Sequence, residues 1–283
     1  MTIRTLLALV ILLLASTTHA SEPLRVMTFN IRFGSASDGE NSWPHRRGAV
    51  AQTIHRFDPD VLGVQEALAF QLDYLKSELP GYRVVGVGRD DGKRAGEHAA
   101  LLLRESRFEL ESSGTVWLSD TPEAPGSIGW GAKIPRVYTW ARVRDLKNQR
   151  TIHLVDMHWD HQSQQAREHS AEAILAHLKQ QPANLPAIVM GDLNSGPENP
   201  ALQNLVNAEA GLRDSFALAN PGAARVFSFN DFRPKPEHQQ IDWVLVSRQF
   251  TVESAGVETR KVEGRLPSDH FPVWAVLRLT DGE

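Results

Sequence analysis

The chain has 283 residues, a formal net charge of -4 and no cysteine, which excludes disulfides, thiolate metal sites and a lipid-modified cysteine. The acidic balance, with no run of like charges, argues against a protein built to grip a nucleic-acid backbone without regard to sequence. No Gly/Ser-rich linker, low-complexity tract or repeat divides the chain, so residues 21-283 are expected to form one domain.

Residues 1-20 carry a single Arg4, an apolar run from Leu6 to Ala15 and the small-residue exit Thr18-His19-Ala20, which reads as a secretory signal peptide. The run is too short to span a bilayer, so no stable membrane span is expected after its removal, and the periplasm or the exterior is the expected location. Arg25 to Ile31 then alternates as a strand that ends near the polar Asn30. Val61 to Glu66 is an apolar run closed by a carboxylate and preceded by the turn signal Asp58-Pro59-Asp60. A helix is predicted over Gln71 to Leu79. Buried-strand runs follow at Ala99 to Leu103, after Glu97-His98, and at Thr151 to Met157, which leads into His158-Trp159-Asp160-His161. A second helical pattern covers Gln165 to Lys179. Ala187 to Met190 leads into Gly191-Asp192-Leu193-Asn194, a strand begins at Ile241-Asp242, and a final one follows Ser268-Asp269-His270.

Polar residues therefore recur where apolar strands meet loops. One Asp or Asn there would be a turn former or helix cap. Asn30, Glu66, His158, Asp192 with Asn194, Asp242, and Asp269 with His270 are too many for independent caps. Carboxylates with an amide suit a hard cation such as Mg²⁺ or Mn²⁺, and two histidines can act as acid, base or charge stabiliser. Such a set fits metal-assisted attack of water on a phosphoester.

The ordered motifs "TFNIR", "GVQE", "EHAALLLR", "DMHWDH", "GDLNSGP", "IDWVLVS" and "PSDHFPV" resemble the endonuclease/exonuclease/phosphatase superfamily, in its deoxyribonuclease-like form. The additional "NSWPHRR" and "PGSIGWG" resemble its small secreted bacterial hydrolases. The resemblance implies an α/β four-layer sandwich, two mixed sheets face to face with helices outside. It implies metal binding by Glu66 with Asn30 and Asp269, and water orientation or deprotonation by Asp192. Asn194 would hold the water and phosphate. His270, polarised by Asp242, would contact phosphate, and His158 would be the second histidine with Glu97 as partner. The family's more frequent Thr-His-Leu is Met157-His158-Trp159 here, and the Arg common before Ile-Asp-Trp is replaced by Gln239-Gln240.

A phosphorylated compound of small or medium size is the expected substrate, acted on by a monomer. Trp43, Trp130 and Trp159 are expected on the rim, and Arg136 is a candidate phosphate contact. A secreted nuclease is the alternative, with a groove of His45, Arg46, Arg47 and Arg136. Two rivals come from other classes. Asp156 to His161 nearly spells the His-x-His-x-Asp-His of metallo-β-lactamase-type zinc hydrolases, although Asp156 replaces the first His. A binding protein that kept the fold without the chemistry is the other. Asp160 and His161 are open between holding the loop and extending the site, and His153 and His177 read as structural.

Overall fold

The computed structural model describes residues 21-207, 211-235 and 237-280, so the expected signal segment 1-20 lies outside the described residues. Two mixed six-stranded sheets pack face to face. The first has the order β11-β12-β1-β2-β4-β3, with β1 Leu24–Asn30, β2 Val61–Ala67, β3 Tyr82–Val85, β4 His98–Arg104, β11 Phe250–Val257 and β12 Val273–Leu279. The second has the order β5-β6-β7-β8-β10-β9, with β5 Phe108–Trp117, β6 Val137–Asp145, β7 Arg150–His158, β8 Ala187–Asp192, β9 Leu212–Asp214 and β10 Asp242–Ser247. Among the described residues only β1/β2 and β7/β8 pair in parallel. Helices α1 Trp43–Phe57 and α2 Ala69–Glu78 cover the first sheet, while α3 Gln164–Lys179 and α4 Pro200–Val206 cover the second. The short α5 Ser215–Ala219 completes the set. This is the expected four-layer sandwich.

Period-two alternation assigns each strand residue to a layer. In β1, Leu24 and Val26 enter the core between the sheets, and Met27, Phe29 and Ile31 pack under α1. In β7, Ile152 and Leu154 face the other sheet, whereas Val155, Met157 and Trp159 face α3. The inward rows continue past the apolar core as Thr28 and Asn30, Asp156 and His158, Asp192, and Asp242, all buried. Apolar side chains thus fill the middle of the sandwich and polar ones converge at one end. Gly63 is required in this packing, because a Cβ there would stand 2.4 Å from Asp156 Oδ1. Asp156 in turn accepts from Gln65 Nε2 at 2.5 Å, and burial raises its pKa well above the carboxylate range. Among the described residues no helix is long and apolar enough to cross a membrane.

Helix α1 was not among the expected helices. Its start is nonetheless marked by Pro44 in the first turn, where a missing N–H costs nothing.

Candidate active site

The polar rows meet in a pocket of about 470 Å³ whose lining includes Glu66, Glu97, Arg136, His158, Asp192, Asn194, Asp269 and His270. Regular alternation would turn Glu66 toward the helices with Leu62 and Val64. A β-bulge between Val64 and Ala67, with Glu66 at φ 60°, re-aims it into the pocket. Its carboxylate accepts from Asn30 Nδ2 at 3.0 Å and from the Phe33 backbone N–H at 3.0 Å.

Asp192 is the hub. Its Oδ2 accepts from Asn30 Nδ2 at 2.9 Å and lies 3.5 Å from His158 Nε2 and 3.8 Å from His270 Nε2. Its Oδ1 accepts the Asn194 backbone N–H at 2.9 Å. Burial, and then the neighbouring Asp242, raise Asp192 to about 7. His270 Nδ1 sits 2.8 Å from Asp242 Oδ2. Burial opposes its charge, but Asp242 and Asp192 outweigh burial and hold His270 well above the usual imidazole range. His158 goes the other way, since burial and then Arg136 push it well below that range. The two histidines are therefore a protonated and a neutral one around a single carboxylate, a division of roles set by environment.

Hydrogen bonds shape the last loop, where Asp269 and His270 stand side by side. Ser268 Oγ donates to Asn30 O at 2.8 Å, and the Asn230 N–H donates to Asp269 O at 2.7 Å, so the loop bends and both side chains face the pocket. Burial raises Asp269 above the carboxylate range.

Several expectations change. Trp159, expected on the pocket wall, is fully buried with Ala171 and Ile174, because alternation after His158 turns it to the helix side. Trp43 is also buried, at the start of α1 in the core between that helix and the first sheet, and Trp130 donates Nε1–H to Asp120 outside the pocket lining. Arg46 is no groove residue: fully buried, it donates to the carbonyls of Ile31, Arg32, Asn41 and Pro267, and so ties β1 to the Asp269 loop. Arg47 is exposed and lies over the Tyr74 ring. Glu97 lies 4.0 Å from His158 Nδ1, but its main partner is Arg89, which donates to both of its oxygens at 2.7 and 2.8 Å. Asn194 gives its Nδ2 to Trp159 O at 3.0 Å, and Asn30 turns its carboxamide oxygen to the Arg32 N–H.

Sequence reading missed Arg32. It pairs with Asp38 and reaches Asp269 at 3.6 Å and Glu66 at 4.0 Å, supplying positive charge where two carboxylates converge. Its one sequence signal was its place directly after Asn30-Ile31. Asp160 accepts the N–H groups of Gln162 and Ser163 and so shapes the entry to α3, while His161 lines the pocket. The zinc-type run does not converge, since Asp156 is committed to Gln65 and Asp160 to the loop. Among the described residues, the group of three whose ligand atoms lie within 4.8 Å of one another is Asp192, Asp242 and His270.

Glu66 and Asp269 fit a hard divalent cation. They are oxygen donors on a rigid frame, and the cation within ion-pair distance of both, Arg32, is already shared with Asp38.

Comparison with known proteins agrees with this arrangement. The model of the Endonuclease/Exonuclease/phosphatase family matches residues 27–270. A Bacteroides vulgatus endonuclease/exonuclease/phosphatase structure is 35% identical with a TM-score of 0.86, over 92% of this chain and 100% of that one. A Bacteroides thetaiotaomicron mannosyl-6-phosphatase is 35% identical with a TM-score of 0.83, over 90% and 99%. Mouse nocturnin is 22% identical over 91% of this chain, which spans 64% of nocturnin's length.

Proposed function

The chain belongs to the endonuclease/exonuclease/phosphatase family, and from that premise we propose that it hydrolyses a phosphorylated compound of small or medium size by direct attack of water. The observation that carries this reading is the convergence of Asn30, His158 and His270 on Asp192, whose pKa of about 7 suits a base working near neutrality. Asp192 takes a proton from the attacking water as its oxygen bonds to phosphorus. The bond from phosphorus to the ester oxygen breaks, the leaving oxygen keeps the electron pair and takes a proton from solvent, and Asp192 returns its proton to solvent. Water and a monoester thus give phosphate and an alcohol, and water and a diester give a phosphate monoester and an alcohol. Protonated His270 donates to a phosphoryl oxygen, and Asp242 holds its ring in place. Neutral His158 fixes the Asp192 carboxylate, and Asn194 narrows the water's position. Glu66 and Asp269, with Asn30 beside them, would hold Mg²⁺ or Mn²⁺, which when bound screens the phosphate charge and polarises its oxygens.

A small substrate is favoured because the pocket is compact and has the apolar walls Phe33, Ile134, Phe229 and Ile241, which suit an organic group beside a phosphate. Likeness to the mannosyl-6-phosphatase supports sugar phosphates among the candidates. The basic groove of the nuclease alternative is weakened by the burial of Arg46. Residues 1-20 would direct the protein to the periplasm or the exterior, leaving residues 21-283 as a monomeric catalytic domain. The test is a screen of the purified protein, stripped with EDTA and reloaded, on sugar phosphates, inositol phosphates, phospholipid headgroup esters and plasmid DNA. Activity should return with Mg²⁺ or Mn²⁺ and be fastest on a small ester. Recovery with Zn²⁺ alone, or faster cleavage of DNA, would overturn the respective part of the reading.

A further inference from the structure

Of the two arginines that line the pocket, Arg32 and Arg136, Arg136 keeps a guanidinium nitrogen without a partner and no carboxylate closer than 3.5 Å. Its side chain is 4% exposed, and a buried cation with idle donors is costly unless a ligand satisfies it. Its closest carboxylate is Asp160, with Nε to Oδ2 at 3.5 Å, and the other oxygen of Asp160 already accepts the N–H groups of Gln162 and Ser163. Its Nη2 donates to His161 Nδ1 at 2.8 Å, and its Nη1 has no partner among the described residues. Arg89 and Arg32 differ in their carboxylate pairing: Arg89, though its Nε also lacks a partner, is held by both oxygens of Glu97, and Arg32 faces Asp38, Glu66 and Asp269.

The sheet sets where this cation stands. Val137, directly after Arg136, lies opposite His158, His158 lies opposite Asp192, and Asp192 lies opposite Asp242. Arg136 and the His270–Asp242 pair therefore flank Asp192 from opposite sides. A phosphate held by His270 and attacked from Asp192 would have Arg136 on its remaining side, across Asp192 from the His270–Asp242 pair. In a monoester that face carries a third terminal oxygen and the second negative charge. In a diester it carries an uncharged ester oxygen and an organic group. By accepting from Arg136, His161 Nδ1 leaves the ring's proton on Nε2, a second donor at the pocket lining.

We propose that Arg136, backed by His161, binds the third terminal oxygen of a phosphate monoester and biases the site toward monoesters over diesters. This deepens the hydrolase reading above and rests on it.

The experiment compares p-nitrophenyl phosphate with bis(p-nitrophenyl) phosphate, which share a leaving group, in wild type, Arg136→Met, Arg136→Lys and His161→Gln. The ratio of kcat/KM for monoester over diester should fall about 30-fold or more in Arg136→Met, the scale of one lost charge-assisted contact, and recover in part in Arg136→Lys. His161→Gln, at an exposed position, tests the same contact in a protein that keeps its buried arginine, and it should lower the ratio about threefold or more. Inorganic phosphate, titrated by calorimetry at pH 8 with Mg²⁺ present, should bind about tenfold or more weakly to Arg136→Met. Equal losses on both esters, or unchanged ratios and phosphate affinity, would overturn the proposal. A wild-type protein that binds phosphate through Arg136 but cleaves neither ester would instead sink the hydrolase reading.

Discussion

Buried charges sit at both ends of this sandwich, and the two ends treat them in opposite ways. At the end away from the pocket, Arg107 donates to both oxygens of Asp145, to Asp60 and to the carbonyls of Pro23 and Glu22, and Arg104 reaches Asp58 and Asp60. Every nitrogen of Arg107 has a partner, and the cluster pins the start of β2 to the end of β6. At the pocket end, Glu66, Asp192, Asp242 and Asp269 converge. There burial drives Asp192 and Asp269 upward, and Glu66 and Asn194 hold left-handed backbone at φ 60° and 46°. Carboxylates and arginines of the same two sheets thus form a staple at one end and a strained, charge-frustrated site at the other. The difference lies in partner count, since a buried carboxylate is quiet only when its charge is matched.

Substitution at the two ends should separate these roles. His270→Ala and Asp192→Asn should each lower kcat/KM by about two to three orders of magnitude, the effect of removing a group that acts on the transition state. Asp192→Asn should also raise the Tm of the metal-free protein by relieving repulsion with Asp242; a lower Tm would mean that the pocket end is as well matched as the other. Arg107→Met should do the reverse, costing about 3 kcal/mol in urea unfolding, because it leaves Asp60 and Asp145 buried without their main cation. Its kcat/KM should stay at the wild-type value, and a catalytic loss would break the separation of the ends.

A smaller effect is expected at Glu66. Glu66→Gln should raise the Mg²⁺ concentration needed for half-maximal activity about tenfold, as weakened metal ligation does, and saturating metal should restore most of the rate. The smallest concerns the middle of the second sheet, where His153 Nε2 meets His177 Nε2 at 2.9 Å beside Trp140. Burial, then His177, pushes His153 down to about 3. Between that value and the ordinary imidazole range the unfolded chain binds more protons than the folded one, so stability falls as pH drops through this window. Denaturant unfolding should show a loss of about 1 kcal/mol between pH 7 and 5.5, reduced in His153→Gln. A flat profile would show that the pair carries no such linkage.

Much of the site was legible as chemistry at strand ends. Asn30, Glu66, Asp192, Asp242 and Asp269 with His270 each close or precede an apolar strand, and the structure brings all of them to one pocket or its immediate wall. The strands Val61–Ala67 and Ala187–Asp192 and the helix Gln164–Lys179 agree with the sequence pattern to within a few residues. Local apolar periodicity and turn chemistry determine these features, because they act between near neighbours in the chain. Which face a residue takes at the end of a strand depends instead on bulges, registers and long-range carbonyl partners. A bulge turned Glu66 toward the pocket, unbroken alternation turned Trp159 away from it, and four carbonyls drew Arg46 into the interior. Arg136 and His161, adjacent in space and 25 residues apart in the chain, became a pair only when β6 and β7 came together. Sequence alone settled which chemical groups were present and on which elements. Only the tertiary structure decided which charges were left unmatched, because matching is a property of distance between segments and not of order along the chain.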